Sequence, residues 1–429
     1  MPEPKKINDA GDRRSLAEYA ITLVDVGGTK TLALVVGLDR NKELLEDVVL
    51  ARTRFETPVG KREDFFDAMS AQISQLRGQT PKDVKLLPLV GYGTPGRLVN
   101  GIIAPGSAAN LGNTQHEFDG ANPKAELEKR LGIKVFTGND AVAQMGYGIK
   151  KILENPDIRH LFLGQKVCYI GPGTGLGGGF ARIADDGSVE FMTDGHIYDI
   201  VIPGYSKVVK TQFRVRNDII EHEFPYERAH AEDLLSGRAV GEMMRGIDSQ
   251  RIKHGQAPIF LPYAKIMRGE RQISMREATD EEIRRALTEK DSPVNARLLN
   301  QDILGATGVE KHAKGLAEQI GRFEGGILGR LVECVHNANI TKSTQQAQWS
   351  SDDAEKVRGT TNYIIGGTVG TTGALGEIVR KTAQEYLKRA IPDRKFNIHP
   401  ITGSTAESGA IGTSTFIPKN EIDEQTREK

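Results

Sequence analysis

Residues 21–39 read ITLVDVGGTKTLALVVGLD. Two aliphatic, β-branched arms flank a pair of glycines, which predicts a strand, a tight turn and a second strand. Asp25 stands at the end of the first arm; Gly27 and Gly28 follow, then Thr29, Lys30 and Thr31. Glycines let backbone N–H groups approach an anion closely. Thr29 and Lys30 add donors and charge for phosphoryl oxygens. Asp25 suits Mg2+ held through water, because magnesium takes oxygen ligands and keeps its waters. A tight hairpin needs only the two glycines; the Asp, Thr and Lys around them point to phosphate. The segment is not a P-loop, since that glycine–lysine spacing is absent and a strand, not a helix, follows.

The same layout restarts at 166–187, KVCYIGPGTGLGGGFARIADDG. Within it Gly173, Gly175 and Gly178 match G-x-G-x-x-G in form. A dinucleotide fingerprint must open a helix, and here FARIADDG continues as strand and turn, so that reading fails. Two glycine hairpins of similar construction predict a duplicated α/β architecture, with each hairpin presenting backbone donors to a polyphosphate.

Further motifs sit at ends of predicted strands. Ile364-Ile365-Gly366-Gly367-Thr368 runs from strand to helix and suits a flat nucleotide base lying against backbone. Gly138-Asn139-Asp140-Ala141 joins the strand 133–138 to the helix 140–154. Asp140 there is a good N-cap. It also occupies the strand end that faces ligands in open α/β sheets, where a carboxylate can take a proton from a hydroxyl attacking phosphorus. Apolar spacing predicts helices over 62–77, 123–131, 233–246 and 308–338. The charge-rich run 268–299 reads as a solvated helical insertion. Residues 341–360, with the lone Trp349, read as a loop. Cys168 and Cys334 read as core fillers. His116, His160, His222, His230 and His336 lack metal-ligand spacing.

Composition narrows the classes. The chain has 429 residues, and one domain per roughly 150 residues predicts two or three. With 57 basic and 57 acidic residues it has no bulk positive field for nucleic acid or anionic lipid. Its 48 glycines exceed the roughly 30 expected at ordinary usage, and they cluster at strand ends. Two cysteines exclude a disulfide framework. No apolar run nears the roughly 20 residues of a membrane helix, and charges occupy the start where a signal peptide would be apolar. A cytoplasmic protein with no nucleic-acid or membrane partner is expected.

In order and spacing the four motifs together resemble the ROK (repressor, ORF, kinase) sugar kinases of the sugar kinase/Hsp70/actin superfamily. The first hairpin resembles phosphate-1, Gly173–Gly179 resembles phosphate-2, and Ile364–Gly370 resembles the adenosine motif. Gly93-Thr94-Pro95-Gly96 is similar to the family's G-x-P-G loop and Ala109-Asn110-Leu111 to its Pro-Asn-Leu. Gly195-His196 is similar to its Gly-His. Residues 231–238, AEDLLSGR, resemble the segment whose glutamate binds sugar, and 408–416, SGAIGTSTF, the closing small-residue helix.

The resemblance implies two related actin-like (ribonuclease H-like) domains around a deep cleft, with helical insertions near 198–230, 247–305 and 341–360. The implied organisation is a polar segment 1–19, a small domain 20–141, a large domain 142–406, and a C-terminal part 407–429 returning to the small domain. It implies ATP-dependent phosphorylation of a hexose, most simply glucose at O6, with Mg2+ and a possible homodimer. Asp140 would be the base. Asn110, Asn139, Glu232, His196 and Gly96 would contact sugar. Asp25, Gly27, Gly28, Thr29, Lys30, Thr31, Gly173, Thr174, Gly175, Gly366, Gly367 and Thr368 would hold nucleotide and metal. The sequence departs from the family twice. The zinc-binding cysteine run is absent, and Thr193 stands where the family tends to place a glutamate. Sugar identity is therefore open between glucose, fructose and N-acetylhexosamines. A non-catalytic sugar binder is the alternative. A repressor would need a longer DNA-binding stretch before the first strand.

Overall fold

The computed structural model describes residues 13–28, 30–108, 111, 116–173, 175–193, 197–203, 209–215, 218–224, 230–268, 271–288, 292–340, 351–370, 373–401 and 407–427. The chain forms two compact units, one of residues 1–150 with 403–429 and one of residues 151–402.

In the first unit, β1 (Tyr19–Val26), β2 (Lys30–Leu38) and β3 (Leu44–Glu56) form an antiparallel meander. Helix α1 (Arg62–Arg77) follows, then β4 (Lys85–Thr94), α2 (Pro123–Leu131), β5 (Lys134–Asn139) and α3 (Asp140–Glu154). The sheet order is β3-β2-β1-β4-β5, with β4 parallel to β1 and β5 parallel to β4. β1 is central and covered on both faces, which is why its sequence is nearly continuous aliphatic instead of alternating. α1 buries Phe65, Phe66, Met69, Ile73 and Leu76 at helical spacing, and Phe65 meets Phe118 edge-on at 4.9 Å.

The second unit repeats the plan. β6 (Lys166–Pro172), β7 (Leu176–Ile183) and β8 (Val189–Thr193) form a meander. After them come a hairpin of β9 (Val209–Val215) and β10 (Asp218–Phe224), helix α4 (Gly237–Lys253), and a hairpin of β11 (Lys265–Arg268) and β12 (Arg271–Ser274). Helices α5 (Asp280–Thr288), α6 (Lys311–His336) and α7 (Ser351–Val357) follow. Then come β13 (Asn362–Ile365), α8 (Gly373–Ala390) and β14 (Asn397–Pro400). The second sheet runs β8-β7-β6-β13-β14, with β13 parallel to β6 and β14 parallel to β13. Both sheets thus share one order and one set of strand directions. The chain closes in the first unit with α9 (Ser408–Gly412), a 3-10 turn Thr413–Phe416 and α10 (Lys419–Thr426).

Three expectations change in detail. The charged run 268–299 is not uniformly helical. It opens at the end of β11 and passes through β12, with Arg268 and Arg271 exposed, and only then becomes α5. Within 341–360, residues 351–357 form α7, and Trp349 lies outside the described residues. The helix expected over 233–246 is divided. Ala231–Leu234 makes one turn, then Ser236 caps α4 by accepting the Ala239 N–H at 3.1 Å. The compact units divide at Lys150, inside α3. Cys168 and Cys334 are both buried. Among the described residues no helix is long and apolar enough to cross a membrane.

Candidate functional site

In the first unit the site is built at the carboxyl ends of the parallel strands. The β1–β2 turn is closed by the Gly27 N–H, which donates to the Lys30 carbonyl at 3.0 Å. Gly27 is also tied down by Thr57, whose hydroxyl donates to the Gly27 carbonyl at 2.7 Å and lies 3.0 Å from the Thr31 hydroxyl. Thr31 is fully buried, so its hydroxyl braces the turn from below. Lys30 is exposed, and Thr29 lies outside the described residues. Thr57 carries no signal in the sequence: a lone threonine at a strand's end has no periodicity or spacing to mark it.

Asp25 pairs in register with Gly93 on β4, and Gly93 with Gly138 on β5. Neither glycine adds a side chain of its own to the row between Asp25 and Asp140; a Cβ on Gly93 would lie 3.7 Å from the Asp140 Cα. Burial pushes the Asp25 carboxyl up to about 6. Burial first, and the Asp25 charge second, push Asp140 up to about 7, against the opposing pull of N–H donors at the start of α3. Asp140 shares the expected cap with Asn139: the Ala141 N–H donates to Asp140 Oδ1 at 2.8 Å and to Asn139 Oδ1 at 2.9 Å, and the Asn139 amide donates to the Gly96 carbonyl at 2.9 Å. The helix start and the Gly93–Gly96 loop are therefore one hydrogen-bonded piece. Gly96 has φ +91, and a Cβ there would sit 2.8 Å from that of Ala108, so no larger residue fits. Asn110 lies outside the described residues.

In the second unit three glycine segments meet at Gly173. The Gly237 N–H, at the start of α4, donates to the Gly173 carbonyl at 2.6 Å. The Gly366 N–H donates to the Ile170 carbonyl at 2.8 Å. Gly367, at φ +67, lies so close that a Cβ would overlap the Pro172 carbonyl and come within 2.6 Å of the Gly173 nitrogen. Glu232 faces the same turn: a Cβ on Gly175 would be 3.1 Å from its Oε1. Arg238 lies 3.5 Å from both Glu232 and Asp233 and places a guanidinium beside the turn. The structure thus gathers Gly173, Gly175, Glu232, Gly366 and Gly367 and adds Gly237 and Arg238. Thr174 and His196 lie outside the described residues, as does the side chain of Thr368. Glycine backbone packed this closely presents a flat surface to a ring, while the N–H groups of Gly173, Gly237 and Gly366 donate to carbonyls within the protein. No cluster of metal-ligating side chains occurs among the described residues.

No known sequence family and no curated relative matches the chain. Solved structures do. The chain is similar to a ROK family glucokinase from Streptomyces griseus in complex with glucose and AMPPNP. The identity is 17% and the TM-score 0.54, over 92% of this chain and 98% of that one. It is similar to a ROK hexokinase from Thermus thermophilus at 17% identity and a TM-score of 0.52, over 94% and 99%. The chain has the fold of the ROK sugar kinases.

Proposed function

We propose that the protein is a ROK-type sugar kinase that transfers the γ-phosphoryl group of ATP to a hexose hydroxyl, with glucose as the first candidate acceptor. The observation that carries this reading is Asp140: a half-buried carboxylate at a strand's carboxyl end, held by the Asn139–Gly96 link, with its pKa raised to about 7. The glucose and ATP analogue bound by the Streptomyces griseus enzyme of the same fold support it. So does the glycine meeting point at Gly173, whose flat surface suits a ring.

In the reaction the acceptor hydroxyl attacks the γ-phosphorus, Asp140 takes its proton, and the bond from γ-phosphorus to the bridging oxygen breaks to release ADP. Asn139 and Glu232 would hold sugar hydroxyls; Asn110, His196 and Gly96 are proposed for the same task. Gly27, Gly28, Thr29 and Lys30 would cradle phosphate, with Thr31 bracing their turn. Gly173, Thr174 and Gly175 are proposed for the same task, and Gly366, Gly367 and Thr368 for the base. Among the described residues Asp25 makes no hydrogen bond or ion pair, which leaves an oxygen donor suited to Mg2+ through water; the ion would neutralise phosphate charge.

The test is ADP release from Mg-ATP over glucose, mannose, fructose, N-acetylglucosamine and N-acetylmannosamine, with Asp140→Asn alongside. Release with one sugar, lost in the variant, is expected. Silence across the panel with sugar binding intact by calorimetry would overturn the kinase reading in favour of a binder.

A further inference from the structure

Six glycines of the first unit, Gly91, Gly93, Gly138, Gly146, Gly409 and Gly412, mark where the C-terminal segment meets the elements that carry Asp25 and Asp140. A Cβ on Gly409 would overlap the Asp25 Oδ2. A Cβ on Gly412 would overlap the Ala143 carbonyl, in the first turn of α3. A Cβ on Gly91 would come 2.5 Å from the Thr413 carbonyl, on Gly93 3.1 Å from the Thr413 methyl, and on Gly138 it would overlap the Phe416 ring. Gly146 faces Thr415 Cγ2, 2.9 Å from where its Cβ would be. Buried Thr413 also donates its hydroxyl toward the Gly91 carbonyl at 3.2 Å and the Ala410 carbonyl at 2.7 Å. Outside this seam the segment is tied to the same unit by ion pairs: Arg52–Glu407 at 2.8 Å, Lys42–Asp423 at 2.8 Å and Lys134–Glu421 at 2.6 Å.

Backbone meets backbone at Gly91 and Gly412, the side chains of Thr413, Phe416 and Thr415 fill the space left bare at Gly93, Gly138 and Gly146, and Gly409 meets a carboxylate. We infer that Gly409 is a positioning residue: its bare Cα lets α9 settle against the Asp25 carboxylate and fixes where that carboxylate stands, while Gly412 and Thr413 fix the first turn of α3 that begins at Asp140. The inference deepens the kinase reading and rests on it for its catalytic consequence; the packing claim stands on the geometry alone.

The experiment is a double-mutant cycle of Gly409→Ala with Asp25→Ala, read by kinetics and by melting temperature. Gly326→Ala, within α6 where an added methyl meets open space, serves as the control for helix propensity alone and should hold or raise the melting temperature. In Gly409→Ala, kcat should fall by about 10-fold or more while the sugar KM stays within about 2-fold, as a misplaced group predicts. In the Asp25→Ala background the same substitution should add no more than about 2-fold in kcat, and its cost in melting temperature should largely vanish, because the overlapping carboxylate is gone. Should Gly409→Ala fail to fold, a folded double variant supports the contact and an unfolded one overturns it. An unchanged kcat in a folded Gly409→Ala, or an equal stability cost in both backgrounds, also overturns the inference. If the wild type phosphorylates no sugar, the kinase reading fails, and the melting cycle still decides whether Gly409 positions Asp25.

Discussion

Asp140 carries two opposed demands. As a base it must be ionised, and its surroundings resist ionisation, so its pKa stands near 7. The acid limb of kcat/KM should therefore have its midpoint near 7, with activity falling below it; a midpoint near the ordinary aspartate value of 3.8 would remove Asp140 from that role. The same shift has a cost in stability. A carboxyl whose folded pKa is raised favours the folded state when protonated, and that contribution is lost as pH rises through the folded value. Asp140→Asn should then melt higher than the wild type, by an amount that grows between about pH 4 and pH 7 and levels off above, while kcat drops by about 10²- to 10⁴-fold. A variant that melts lower across that range would show that the carboxylate holds the strand end together. The position of Asp140 was legible because a strand, Gly-Asn-Asp and a helical pattern followed in order. Its coupling to Asp25 was not, because the two residues meet through pairing of β1, β4 and β5, which no local pattern encodes.

Among the elements, α4 shows where reading by periodicity stops. Asp248 interrupts its apolar face and looks like one more charge of a solvated helix. It is instead fully buried and accepts four backbone contacts: Ile259 N–H at 2.6 Å, Phe260 N–H at 3.2 and 3.0 Å, and Leu261 N–H at 2.6 Å. One side chain thus fastens the insertion to α4. In Asp248→Asn the amide end would face N–H donors, leaving some of them unpaired in the core at a cost of about 2–3 kcal/mol. Urea unfolding measures this directly, and a loss under about 0.5 kcal/mol would put Asp248 among ordinary surface positions. The long helix α6 teaches the complementary lesson. Its apolar period predicts burial correctly. Its glycines at 321, 325 and 329 have a separate purpose: α8 presses so close that Cβ atoms there would meet Ile378 at 3.0 Å, Thr382 at 2.6 Å and Tyr386 at 2.7 Å. A glycine every four residues reads as weak helix until the partner helix is known.

For the molecule as a whole, the two hairpins at 21–39 and 166–187 carry most of what the sequence discloses, since each starts a sheet of the same order and direction. The return of residues 403–429 to the first unit has no such signature. Thr413 and Gly91 are in contact across more than three hundred residues, and only the resemblance pointed to it. One core feature runs against the fold's own economy. Glu324, on α6, is fully buried, and neither carboxyl oxygen has a hydrogen-bond partner among the described residues. Burial holds its pKa well above the usual 4.5, so the group is kept protonated in the folded state. The unfolded chain releases that proton far more easily, so stability should fall as pH rises above the ordinary glutamate range. Glu324→Met has similar reach and no polar atom to desolvate. It should raise the stability of the second unit by about 1–3 kcal/mol, with the gain widening as pH rises. Calorimetric melts of the two proteins at several pH values decide it. A variant that melts lower at every pH would mean that Glu324 has a partner in the folded chain and contributes to holding it together.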